Sequence, residues 1–411
     1  KKVDKKNLFN EIEKLINNKK LLLSVQKRNY NNFFLTHNYV SGLIDNIRSQ
    51  YLDKFYSIIN KQKNLKIMHI TNFNYRFDGR LHYNTGRRLN NGFLRLGHNV
   101  LTVSDRDLIH DNKTIKDFSG IKSLQEKILN NYKNFKPDLI ILGHADLISA
   151  EQIAELREDY PNTRFGQWFL DPLNKNGPDF DRNKNRIMDK IDLMDASFMT
   201  TSPSALKFLP NNKQNFYMPN PSDHSFETLN NFNKSCSVDV FFALSHGVHR
   251  GKLKSGKTDD RITFLNNLTR KTPDIKFDIY GIGKIQPIWA DHYFKTISNA
   301  KMGLNLSRGE AIKYYSSDRI TQIVGNGLVC LIDEKTEYRN FFNDNEMIFY
   351  KNVNDLSEKI LRLANDDKKR RSIAKKGKDK YMKYFNSNLV AEYIINKSLD
   401  INQKKKFFWE N

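Results

Sequence analysis

Two cysteines in 411 residues, Cys236 and Cys330, set the first limit on this chain. A disulfide framework needs more of them, and a zinc site needs further Cys or His at short spacing, so both are excluded and a reducing cytosol fits. No apolar run approaches the length of a membrane span. The first thirty positions are rich in Lys and Asn and lack an apolar core followed by small residues, so neither a spanning helix nor a secretory leader is read here. Apolar residues make up only 38%, below the usual share, yet 28 Phe, 18 Tyr and 3 Trp supply enough bulk for packed cores and exclude wholesale disorder. Several reaction signatures are also missing. There is no Gly-x-x-x-x-Gly-Lys-Ser/Thr for phosphoryl transfer, no Gly-x-Ser-x-Gly nucleophile turn and no His-Glu-x-x-His. Gly281-Ile-Gly283 lacks the third glycine of a dinucleotide fingerprint, and Asp105-Arg-Asp107, directly after a strand, reads as a cap and turn rather than a metal-binding pair.

What is present in excess is positive charge, +22 net, and it is concentrated at the ends. Residues 1–66 hold 14 Lys/Arg against 5 Asp/Glu, and residues 362–411 hold 14 against 6, leaving the middle near balance. Such ends suit solvated helix surface or contact with an anionic membrane surface; nucleic acid is the weakest of the three readings.

The length calls for two cores. Apolar residues at helical spacing from 7 to 23 and from 42 to 60 predict a helical, basic extension over 1–64. Leu65-Lys-Ile-Met-His-Ile70 then opens a strand that runs into a loop holding Asp78-Gly79-Arg80 and a helix to Leu96. Further strands are predicted at Val100 to Val103, Pro137 to Leu142, Arg164 to Phe169 and Ala196 to Thr200. Their ends carry His144, Asp146 and Asp171, where such architectures hold ligands. Pro219-Asn220-Pro221 cannot continue a helix or a central strand and marks a hinge. Beyond it the alternation restarts at Val238 to Leu244, Lys276 to Tyr280, Met302 to Leu306 and Leu328 to Ile332. The fold class expected is α/β, two doubly wound, Rossmann-like domains facing across a cleft. The expected domains are 65–220 and 221–390, with a basic tail over 391–411.

Four features of the second half resemble, in order, the C-terminal domain of group 1 GT-B-fold glycosyltransferases. They are Tyr280-Gly281-Ile282-Gly283, the segment from Ser298 to Ser307, the stretch from Asp318 to Gly327, and a closing Lys-rich helix ending near Tyr384-Phe385. In the first half, Gly79 with Arg80 and the Gly97-His98 turn occupy the matching places. The resemblance implies a nucleotide-sugar donor in the second domain and a glycan, lipid or protein acceptor on the first, with no metal or other cofactor required. It places donor contacts at Gly79, Arg80, Arg250, Arg261, Tyr280, Gly281, Gly283, Glu310, Asp318, Arg319 and Gln322, because a diphosphate in a cleft needs fixed cations. Retaining relatives carry two acids separated by seven residues, as Glu310 and Asp318 are. A second register aligns Arg319-x-x-Gln322-x-x-x-x-Gly327 with a relative's Arg-x-x-Glu-x-x-x-x-Gly, an amide replacing the acid. For a catalytic base the candidates are Asp171, His144 and Asp146. Two other readings stay open: an epimerase of the same fold, and an inactive core that binds anionic lipid or nucleic acid.

Overall fold

The computed structural model of the chain describes residues 7–31, 40, 64–115, 117–177, 179–244, 248, 249, 252, 253, 259–283, 285–401 and 406–410. Contacts divide the chain into Lys1–Lys63 and Asn64–Asn411. In the first unit a helix spans Leu8–Asn17 and a second covers 19–31; they separate at Asn18, whose side-chain oxygen accepts the Leu21 N–H at 3.0 Å and so caps the second. The helix predicted over 42–60 lies outside the described residues.

The larger unit holds two parallel sheets. The first comprises β1 (Lys66–Thr71), β2 (Asn99–Val103), β3 (Leu139–Gly143), β4 (Arg164–Phe169), β5 (Ala196–Met199) and β6 (Asn215–Tyr217), in the order β2-β1-β3-β4-β5-β6. The second follows β7 (Val238–Ala243) and a short hairpin, β8 (Val248–His249) with β9 (Lys252–Leu253). It adds β10 (Phe277–Tyr280), β11 (Ala300–Asn305), β12 (Val329–Asp333) and β13 (Ile348–Tyr350), in the order β10-β7-β11-β12-β13. Central strands such as β3 are buried at every position, which is why they read as unbroken apolar runs rather than as alternation. Register places His69 between Thr102 and Ile141. This is the doubly wound α/β architecture expected. β6 and β13, three residues each, are too short to give a periodic signal.

The segment around Pro219-Asn220-Pro221 is buried rather than exposed. Asn220 donates to the Ser316 carbonyl at 2.8 Å and accepts the Tyr381 hydroxyl at 2.7 Å. The chain crosses back beside it, with Ser222 and Ser387 joined by a backbone bond of 2.7 Å. The helix Ser387–Ser398 then packs on the first domain. It lies so close to the helix Thr85–Arg95 that a Cβ on Gly92 would sit 2.2 Å from the Ser387 carbonyl. This corrects the expected basic tail over 391–411: Ala391, Tyr393, Ile394 and Ile395 are buried, and Phe407 and Trp409 are buried against Tyr393. The run Lys404, Lys405, Lys406 suggests a basic tail, but Phe407, Phe408 and Trp409 follow it directly and form an apolar anchor.

His69, in the middle of β1, is fully buried, packs edge-on against Phe73 and Phe93, and accepts the Trp168 indole N–H at 3.3 Å. Burial pushes its pKa down from 6.5 to about 3. The unfolded chain therefore takes up the proton first, so the stability His69 contributes is full above pH 6.5 and falls as the pH drops toward 3, by at most about 1.4 kcal/mol per unit. Asp105, raised by burial to about 6, works in the opposite sense over its own range. The difference between wild type and His69→Phe isolates the histidine. Denaturant midpoints at pH 7.5 and 5.0 should fall further in wild type than in the variant; parallel losses would acquit His69.

Candidate functional site

Strand ends of both sheets open on one cavity of about 350 Å³. From the first domain come Asn74, Arg80 and Asn84, in the loop between β1 and the helix Thr85–Arg95, and Asp171 after β4. The loop turns through left-handed residues, Asn74 and Asp78, and then Gly79 at φ 82°. It is pinned by Asp107, which accepts the Tyr75 N–H at 2.8 Å and pairs with Arg76. Asn84 caps the helix by accepting the Arg87 N–H at 3.0 Å. Asp107 of the Asp-x-Asp segment is thus a brace for this loop, while the cap position of its helix is Ser104.

The second domain supplies Leu244 after β7 and, beyond β10, Trp289 and Tyr293. From the start of the helix Arg319–Gly325 it supplies Asp318, Arg319 and Gln322. Gly281 makes the close approach possible: φ is 74°, and a Cβ there would lie 2.1 Å from the Leu244 carbonyl. Tyr280, Gly281 and Gly283 shape this turn but do not themselves line the cavity.

The main electrostatic feature is Arg319. Its guanidinium donates to the Leu306 carbonyl at 2.6 Å and lies 5.3 Å from the Phe242 ring, while its Nε has no partner among the described residues. Burial, then the neighbouring charge of Arg261, lowers its pKa to about 10. Beside it the buried Tyr293 hydroxyl also has no partner among the described residues, and burial pushes its pKa up. A cation partly withdrawn from water and without a carboxylate is favoured when an anion completes it.

In the first domain His144 stacks on Phe169 at 4.5 Å and accepts the Leu170 N–H on Nε2 at 3.1 Å. Its Nδ1 lies 3.7 Å from Asp171, and burial lowers its pKa, so the ring is neutral at pH 7 with its proton assigned to Nδ1. Asp171, 37% exposed, is the acid of this group that reaches the cavity.

Three expected contacts are corrected. Asp146 is held between Arg106 at 2.8 Å and Arg186 at 2.9 Å, away from the cavity, and so is a brace for those arginines. Arg261 is engaged by Asp259, its own helix cap, at 2.5 and 2.9 Å. Glu310 is exposed and does not line the cavity. Its carbonyl accepts the Asn174 side chain at 3.0 Å, and Arg308 pairs with Asp179 at 2.8 Å, so this loop bridges to the first domain at the rim. Arg250 lies outside the described residues. Arg88, which no sequence motif marks, is fully buried and paired with Glu227 and Asp318, and falls with Thr85, Leu89 and Gly92 on the buried stripe of its helix.

Residues 261–396 match the family described as glycosyl transferase-like. Sucrose-phosphate synthase from Thermosynechococcus elongatus superposes with a TM-score of 0.54 at 13% identity, covering 81% of this chain and 98% of that one. Anabaena HepE in complex with UDP and glucose gives 0.53 at 9% identity, covering 82% and 100%. The fold is GT-B. No curated protein matches the sequence. The GT-B arrangement agrees with the cavity's position between the two sheets, at the carboxyl ends of their strands. Among the described residues no helix is long and apolar enough to cross a membrane.

Proposed function

We propose that the chain transfers a glycosyl group from a nucleoside-diphosphate sugar, held by the second domain, to an acceptor presented by the first. The observation that carries this is Arg319, a partly buried guanidinium whose Nε is sealed from solvent and which has no carboxylate partner among the described residues, lining a cavity between two Rossmann-like domains. Breaking the bond to the anomeric carbon leaves charge on the diphosphate, and a fixed cation in a dry site stabilises that charge without reorganising. Arg80, from the first domain, lines the same cavity and adds to the field. Trp289, Tyr293, Phe294 and Tyr83 offer aromatic surface for a base or sugar ring. Gln322 can bond a hydroxyl, though without the acid's charge. Asp171 is the proposed base, oriented by His144. The glycosyl transferase-like match and the UDP complexes of HepE support the donor class.

Thermal-shift screening against UDP, GDP, ADP and CDP with their common sugar conjugates tests the reading. A ligand at 100 times its Kd stabilises by about 2.7 kcal/mol, which moves the melting point of a domain this size by several degrees. At least one nucleoside diphosphate should do so. A folded protein that none of the panel shifts would refute the donor class.

A further inference from the structure

Arg88 is, with Arg370, the bulkiest of the fully buried side chains among the described residues and comes from the first domain. Its Nη2 meets Glu227 at 2.6 Å, and its Nη1 meets Asp318 of the second domain at 3.2 Å. Glu227 is sealed, with one oxygen also accepting the Asp223 N–H at 2.7 Å and its chain pressed on Gly325, where a Cβ would lie 2.4 Å away. One cation thus serves two carboxylates. The member left open is Asp318, 28% exposed, lining the cavity immediately before Arg319.

Asp318 is the acid best placed to neutralise Arg319, yet it is turned to Arg88. We infer that Arg88 is a positioning residue: by occupying Asp318 it keeps the charge of Arg319 free for an incoming anion, and because it belongs to the first domain it does so only while the domains are apposed. The wall here is shared in the same way. Arg88 lies over Phe226 at 5.4 Å, Phe226 meets Tyr83 at 5.1 Å, and Tyr83 meets Phe294 across the cleft at 4.5 Å. An open arrangement would release Asp318 toward Arg319 and weaken the anion site as the product leaves. The inference rests on the donor reading above, but its anion chemistry does not need the nucleotide.

The test uses the full chain and two probes, UDP and inorganic pyrophosphate, by calorimetry. Arg88→Met alone would strand two acids, one of them sealed in the interior, and risks misfolding, so it is paired with Glu227→Gln. This double variant should bind both probes about tenfold more weakly, because Asp318 is then free to compete for Arg319. Adding Asp318→Asn removes the competitor and should restore affinity to within about threefold, a rescue that a purely structural Arg88 would not give. Arg88→Lys should fall between. Loss without rescue, or no loss in a folded double variant, overturns the inference. If wild type binds pyrophosphate but not UDP, the donor reading fails while the pyrophosphate series still decides Arg88; if it binds neither, both fail.

Discussion

Arg319→Ala should bind UDP at least about 30-fold more weakly than wild type, a loss of about 2 kcal/mol or more, while melting no lower in the absence of ligand. The two halves of that result have one cause. Without ligand the guanidinium is partly buried with its Nε sealed, bonded to one carbonyl and held without a carboxylate, and desolvation has already drawn its pKa down to about 10. Removing it removes a desolvation cost. In the proposed complex the same charge would meet a diphosphate in the cavity, and there its removal would be felt in full. Arg319→Lys, a point charge without the planar fork, should lie between. Unchanged UDP affinity in a folded Arg319→Ala protein would sink the assignment.

That Arg319 could be found from sequence and Arg88 was not has a physical reason. Arg319 sits in a spaced motif, Arg-x-x-Gln-x-x-x-x-Gly, and its hydrogen-bond acceptor, the Leu306 carbonyl, is only 13 residues away. The strands were legible for a similar reason, since burial on both faces writes itself as a short apolar run, as in β3 and β12. Arg88 reads as one more surface arginine until Glu227 and Asp318 arrive from 139 and 230 residues away. Glu310 fails in the opposite direction. Its spacing to Asp318 matches a pair of acids, but the intervening loop carries it to the rim, where its carbonyl rather than its carboxylate is used. Spacing constrains side chains on one helix or strand; across a twelve-residue loop such as 306–317 it does not. The buried helix Ser387–Ser398 was hidden by the lysines on either side of it, because net charge averages over a segment whereas burial is decided face by face.

In the proposed reaction the first domain's part falls to Asp171. Of the three candidate bases, Asp146 is tied to two arginines, and His144 is neutral with its Nε2 accepting a backbone N–H, so neither has a free basic atom toward the cavity. Asp171 lines the cavity that Arg319 also lines. His144 Nδ1 stands 3.7 Å from its carboxylate and Arg186 stands 3.6 Å away, contacts that restrain it without enclosing it. A carboxylate so placed can take the proton of an acceptor hydroxyl as the donor bond breaks, a contribution of about 10²- to 10⁴-fold in rate. Asp171→Asn should therefore lower turnover of the UDP-sugar by about 10²-fold or more, read as UDP release, with UDP affinity within about threefold of wild type. His144→Gln, which can still accept the Leu170 N–H, should cost less, about tenfold, because it acts through the restraint on Asp171. The split matters more than either number. A loss of UDP affinity matching the loss of turnover would make Asp171 a donor contact, and an Asp171→Asn enzyme turning over at the wild-type rate would remove it from the chemistry, leaving Arg319 and the diphosphate to carry the reaction.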